Sequence, residues 1–232
     1  MVKAIFFDID DTLYSFKNAN AKAFSALCDF VDKKFGWSAE HFSSLHKNAM
    51  NELFARMGQV SAAHNRLIRY QNILAENLAK TEQSAKYALE MCDIYWNTLI
   101  EEATPFPELL PTLAELKKRG FWLGIGTNMT ALIQFRKLEK LGVLPFVDYV
   151  VSSEEAGADK PDKKFFDYCV EKSGFSAAEC LFVGDDIVND ISGARQAGLL
   201  ALQFCPDEKS GEGRISAWSE ILDFAENLGG AK

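Results

Sequence analysis

The second half of this chain constrains its fold most, because short apolar runs of strand length alternate there with runs of helix length. Beyond Pro105 and Pro107 the pattern predicts a helix over 108–119, a strand over 122–126, a helix over 131–141 and a strand over 147–152. A helix over 161–173, opened by proline in its first turn, leads into a buried strand over 180–184. A helix over 189–197, a strand over 199–204 and a closing helix over 215–228 complete the series. Strands joined by connections of that length cannot form hairpins, so they pair in parallel through right-handed crossovers. The expected class is α/β, a doubly wound parallel sheet with helices on both faces.

The first strand of that sheet is expected far upstream, at 2–9, where Ile5-Phe6-Phe7 forms a β-prone run that stops abruptly at carboxylates. From residue 17 to 101 the period changes. Ala21, Phe24, Cys28, Val31 and Phe35 recur every three or four residues, as on one helical face, and Phe42, Leu45, Ala49, Phe54 and Met57 repeat the pattern. A third helix is expected around Leu67, Tyr70, Leu74 and Leu78, and a fourth around Tyr87, Met91, Ile94 and Leu99. Breaks are expected at Gly36-Trp37, Gly58 and Thr81. The chain thus reads as a core over 1–14 and 103–232, interrupted by a four-helix insertion over 15–102. Phe16, Phe42, Phe54 and Trp96 fit the interior of that insertion, and Trp37 an anchored loop.

Charge and composition narrow the partners. The net charge is −8 and the basic residues are scattered, which argues against a nucleic-acid footprint. The opening apolar run is too short for a secretory leader and no later stretch reaches bilayer-spanning length, so a cytoplasmic protein without a membrane partner is expected. Cys28, Cys92, Cys169, Cys180 and Cys205 are odd in number and widely spaced, as reduced thiols would be. His41, His46 and His64 fall in polar helical stretches that suit surface or packing roles better than zinc.

In a doubly wound sheet, ligands bind beyond the C-terminal ends of the strands. Asp8 and Asp10 follow the first strand, Thr127 and Asn128 the second, and Asp185 and Asp186 the fourth, so one crevice collects them. Two carboxylates two residues apart on an extended backbone aim the same way and call for a cation. Asp185, Asp186 and Asp190 add oxygen donors of the kind that suit Mg²⁺. The Thr127 hydroxyl, the N–H groups of the adjacent turn and the Lys160 charge make a set able to hold a phosphoryl group. The chemistry implied is phosphoryl transfer.

These residues resemble the four motifs of the haloacid dehalogenase superfamily: D-I-D-D-T-L the first, I-G-T-N the second, the lysine of D-K-P the third, and G-D-D-I-V-N-D-I-S-G-A-R-Q-A-G the fourth. The resemblance implies a Rossmann-like core, and the insertion after the first motif resembles the helical cap of that superfamily. It implies Asp8 as nucleophile and Asp10 as general acid, then base. Mg²⁺ would be held by Asp8, the main-chain carbonyl of Asp10 and Asp185, with Asp190 or Asp186 as a further ligand. Thr127 and the Asn128 N–H would cradle phosphate, and Lys160 would offset charge. The acid at Asp10 sets the chain apart from the metal-free dehalogenases of the superfamily. Asp11 stands where glycine is frequent, as in a subset that includes nucleotidase-like enzymes.

The expected activity is therefore hydrolysis of a small phosphorylated metabolite by a monomer or homodimer. A nucleoside monophosphate leads a sugar phosphate or a phosphorylated organic acid such as phosphoglycolate as substrate, with a phosphomutase as an alternative on the same core. A non-catalytic binding module fits poorly with a complete set of motifs. In the insertion, Arg66 and Arg69 are the basic residues suited to an anionic or carbonyl-bearing leaving group, unless they belong to an exposed helix face.

Overall fold

In this computed structural model residues 1–58, 60–78 and 83–228 are described; the break expected at Thr81 lies outside them. The chain divides into two compact units, one of Lys17–Glu102 and one of Met1–Phe16 with Ala103–Lys232.

The first of these is helical: α1 (Phe16–Phe35), whose first residue belongs to the other unit, α2 (Ala39–Met57), a short 3₁₀ turn (Ser61–His64), α3 (Arg66–Asn77) and α4 (Ser84–Glu102). Local chemistry sets the helix ends. Ser38 opens α2 by accepting the His41 N–H, and Asn65 opens α3 by accepting the Ile68 N–H. Gly58, at φ 80°, closes α2. Leu27, Val31, Phe42, Tyr70, Leu74, Met91, Tyr95 and Leu99 form the interior. One sequence expectation fails in α3: Leu67 is 38% exposed, while Arg69 is only 3% exposed. The buried stripe runs through Arg69, Tyr70, Ile73 and Leu74, one step round the helix from the apolar spacing that starts at Leu67. His46, expected on the surface or in packing, lies inside against Phe24, Phe42 and Tyr70.

The second unit carries six strands, β1 (Ala4–Phe7), β2 (Trp122–Thr127), β3 (Tyr149–Ser152), β4 (Cys180–Gly184), β5 (Leu200–Phe204) and β6 (Arg214–Ile215). They form one sheet in the order β3-β2-β1-β4-β5-β6, every pair parallel. β1 is central and fully buried because both its faces are covered. Phe6 packs on Trp122 and Phe182 at 5.2 and 6.5 Å, while Phe7 packs on Trp218 at 5.4 Å. From β1 the chain proceeds through β2 to β3 on one side, then crosses to β4 on the other. The loops after β1 and β4 therefore open next to each other at the switch point where α/β sheets bind ligands.

The helices of this unit are α5 (Leu109–Lys118), α6 (Ala131–Lys140), α7 (Ser153–Ala156), α8 (Lys163–Ser173), α9 (Gly193–Gln196) and α10 (Glu220–Leu228). Three expectations are corrected. Pro161 lies before α8 rather than in its first turn, following a cis bond from Lys160, and Asp162 caps the helix by accepting the Lys164 N–H. The helix expected over 189–197 is a π-helical turn (Ile187–Ser192) running into α9. Ile215 belongs to β6 and α10 starts only at Glu220, because Cys205 N–H bonds to Ile215 O and extends the sheet. Among the described residues no helix is long and apolar enough to cross a membrane.

Candidate active site

Asp8 sits one residue past the β1 ladder, its N–H still donating to Val183 O of β4 at 2.9 Å, so the sheet fixes where its side chain begins. Lys160 arrives from the loop after α7 and is itself only 6% exposed. Its Nζ donates to Asp8 Oδ1 at 2.6 Å, to Asp190 Oδ1 at 2.7 Å and to Gly126 O at 3.1 Å, which engages all three ammonium protons. The Asn128 side chain clamps the Lys160 main chain: Oδ1 accepts its N–H at 2.9 Å and Nδ2 donates to its carbonyl at 3.3 Å. Asn128 thus holds the loop that delivers the lysine.

Asp190 reaches the same place from the π-helical turn. Its carboxylate lies directly over Gly184, where a Cβ would stand 2.2 Å from Oδ2, so only glycine fits at the end of β4. The Asp186 N–H donates to that oxygen at 3.1 Å. Asp8, Asp185 and Asp190 each offer a carboxylate oxygen within 4.8 Å of the others. Burial, reinforced by Asp190 and Asp10, pushes the Asp8 carboxyl up to about 8 against the pull of Lys160. Burial also raises Asp185 to about 7, with Asp190 and Asp11 adding to it. Burial opposes the charge on Lys160, but Asp190 and Asp8 outweigh it and hold the ammonium above its ordinary range. Three carboxyl groups converge beside one ammonium, and hard oxygen donors at this spacing fit a divalent cation such as Mg²⁺, which would favour their charged forms. Asp186, the sequence's alternative to Asp190 as a further ligand, stands outside this triad. Its carboxylate caps the π-helical turn, accepting from Val188 N–H, Asn189 N–H and Asn189 Nδ2, which turns it away from the triad.

Asp10 does not join those carboxylates. Its two oxygens accept from Lys137 Nζ at 2.7 and 2.8 Å, and Tyr14 Oη donates to Oδ1 at 2.6 Å. The two side chains that the sequence places two residues apart thus engage separate lysines, Asp8 with Lys160 and Asp10 with Lys137. Lys137, fully buried, is the site residue that sequence reasoning missed. It reads as one of two basic residues in the last turn of α6, where a lysine suits the helix dipole. The signal lay in its spacing: Gln134, Lys137 and Leu138 share the buried face, while Leu132 and Phe135 are exposed. Polar residues in core positions of an amphipathic helix point to a buried polar partner.

Thr127, the last residue of β2, is 1% exposed. Its Oγ1 accepts from Gln134 Nε2 at 2.5 Å and donates to Asn128 O at 3.2 Å. Asp11 has φ 58°, a left-handed conformation that glycine enters freely and aspartate tolerates, which explains how either residue serves at this step of the loop. The structure therefore brings Asp8, Asp10, Thr127, Asn128, Lys160, Asp185 and Asp190 to the C-terminal ends of β1, β2, β3 and β4 and the segments that follow them. Arg66 and Arg69 lie on α3 of the helical unit.

A buried carboxylate paired with a buried lysine within a triad of oxygen donors, and a second carboxylate held separately by its own lysine, make an arrangement that suits phosphoryl transfer. A family model for haloacid dehalogenase-like hydrolases matches residues 2–198. A ribulose-1,5-bisphosphate 5-phosphatase of Halopiger xanaduensis is 32% identical, the match covering 90% of this chain and 87% of that protein. The pyrimidine 5'-nucleotidase YjjG of Escherichia coli is 31% identical over 84% of this chain and 82% of its own. The magnesium-bound structure of the HAD-hydrolase YfnB from Bacillus subtilis superposes with a TM-score of 0.70 at 25% identity, covering 96% of this chain and 98% of that one. The chain belongs to the haloacid dehalogenase-like hydrolases and is a phosphohydrolase acting on phosphoric monoester bonds.

Proposed function

We propose that this protein is a Mg²⁺-dependent phosphatase that hydrolyses a small phosphorylated metabolite through a covalent phosphate on Asp8. The observation that carries the reading is the separation of two carboxylates onto two buried lysines, Asp8 with Lys160 and Asp10 with Lys137. An Asp8 oxygen attacks phosphorus and the bond to the leaving oxygen breaks, with a proton from Asp10 passing to that oxygen. Asp10, now a carboxylate, takes a proton from water as the water oxygen attacks phosphorus. Inorganic phosphate departs and Asp8 is restored. Lys160 offsets charge between Asp8 and the incoming phosphoryl group, while Thr127 and the Asn128 N–H hold its oxygens. Asp8, Asp185, Asp190 and the Asp10 carbonyl would hold Mg²⁺, which would supply the charge that lets a carboxylate meet a phosphate dianion. The likeness to magnesium-bound YfnB supports the choice of ion.

The more similar phosphatase relative acts on a sugar bisphosphate, which supports a phosphorylated sugar as substrate. A nucleoside monophosphate, which Asp11 suggests, is the second reading, supported by the likeness to YjjG. Phosphate release is expected from a panel of sugar phosphates, phosphorylated acids and nucleoside monophosphates when Mg²⁺ is present, with no bisphosphate activator. An absolute need for such an activator would indicate a mutase, and no release with any member would overturn the proposal.

The raised carboxyl pKa values give the metal step a pH signature. In the metal-free fold Asp185 keeps its proton to about 7, whereas its ordinary value is 3.8. Between those values the folded chain binds more protons than the unfolded one, so this group makes stability fall as pH rises. A divalent cation displaces that proton and removes the penalty. Mg²⁺ is therefore expected to raise the melting temperature by more at pH ~8 than at pH ~5. Scanning calorimetry on metal-stripped protein measures both gains, and an equal or smaller gain at the higher pH would contradict the assignment.

A further inference from the structure

We propose that Arg66 and Arg69 form a binding site for a small oxyanion, a carboxylate or a phosphate group, inside the helical unit. The two arginines stand three residues apart in the first turn of α3, on neighbouring positions of one face. That is the end of a helix where the backbone already favours negative charge, and this first turn holds no acidic residue. Arg69 is 3% exposed, yet its Nε and Nη2 have no hydrogen-bond partner; Arg66 Nε and Tyr70 Oη are buried without one too. Buried guanidinium groups are ordinarily matched by carboxylates. Among the described residues neither arginine makes such a pair.

The partners they do have are neutral. Arg69 Nη1 lies 3.2 Å from His46 Nε2, and burial, followed by the charges of Arg69 and Arg66, holds that imidazole down to about 4. Such a ring accepts from the guanidinium and supplies no counter-charge. Arg66 lies over Tyr95 at 4.0 Å and Trp96 at 4.5 Å, and its Nη2 donates to Tyr95 Oη at 2.5 Å. Tyr95 in turn donates to Asn20 Oδ1 at 2.5 Å. Aromatic rings and amides thus fix the orientation of the donors and leave their charge uncancelled. An oxyanion accepting two parallel N–H bonds completes the arrangement, with Tyr70 Oη as a further donor.

The anion is a free oxyanion that binds the helical unit by itself, so this site does not rest on the phosphatase reading above. The test follows melting of wild type and Arg69→Met with and without malonate. Malonate is expected to raise the melting temperature of wild type and to leave that of Arg69→Met unchanged.

Arg69→Met leaves no carboxylate stranded, so without malonate it is expected to melt at or above the wild-type temperature. Arg66→Met, at a half-buried position, repeats the test should Arg69→Met fold poorly. Absence of the malonate effect in wild type, or its survival in both variants, overturns the site.

Discussion

Asp8→Asn is expected to abolish phosphate release, lowering turnover by on the order of 10⁴-fold or more, the scale seen when a covalent nucleophile is removed. An amide oxygen carries no charge with which to attack phosphorus, and Asp190 is tied to Lys160 and to the Asp186 N–H. The variant should fold normally. Burial already disfavours the charged form of Asp8, so a neutral isostere relieves that cost, and the melting temperature of the metal-free protein should hold or rise. Loss of activity together with a collapsed melting curve would leave the nucleophile assignment without support.

Asp10→Asn is expected to reduce turnover by ~10²–10⁴-fold, the usual loss when a general acid and base is removed. On the proposed mechanism Asp10 acts as acid in the first half-reaction and base in the second. An aryl phosphate, whose leaving group needs no proton, leaves only the second dependent on it, so with that substrate the phosphorylated enzyme should accumulate in this variant. Lys137→Met makes the companion test. The lysine engages both Asp10 oxygens, and without it the carboxylate keeps Tyr14 on one oxygen but loses the bond that fixes the other. The expected result is a fall in kcat with KM nearly unchanged, partly restored by Lys137→Arg. A rise in KM alone would place Lys137 in substrate binding instead. Wild-type rates in Asp10→Asn would remove Asp10 from the chemistry altogether.

Much of this site was legible because the chemistry is concentrated where strands end. Ile5-Phe6-Phe7 before Asp8, and the apolar run before Asp185, are buried strands cut off by carboxylates, and only a sheet edge makes sense of that pattern. The alternation of strand and helix then fixed a parallel sheet, and with it a shared crevice. What stayed hidden were contacts that depend on tertiary neighbours. Lys137 and Asp10 are 127 residues apart, and a lysine in the last turn of a helix ordinarily belongs to solvent. The spacing favoured Asp190 over Asp186 as the further carboxylate without excluding either. The π-helical turn sets Asp190 back over Gly184 and leaves Asp186 as a cap. Arg69 was visible as a basic residue but not as a buried one, because the spacing of Leu67, Tyr70 and Leu74 suggested a stripe displaced from the true one. β6 is two residues long and carries no periodicity that a sequence could reveal.

The covalent intermediate is the most direct test of the central claim. Wild type and Asp10→Asn would be mixed with a phosphorus-labelled aryl phosphate and Mg²⁺, quenched in acid within a turnover, digested and mapped. Label on the peptide that contains Asp8, greater in Asp10→Asn than in wild type and absent from Asp8→Asn, is the expected result. Steady phosphate release with no label on that peptide, or label on another residue, would contradict the account.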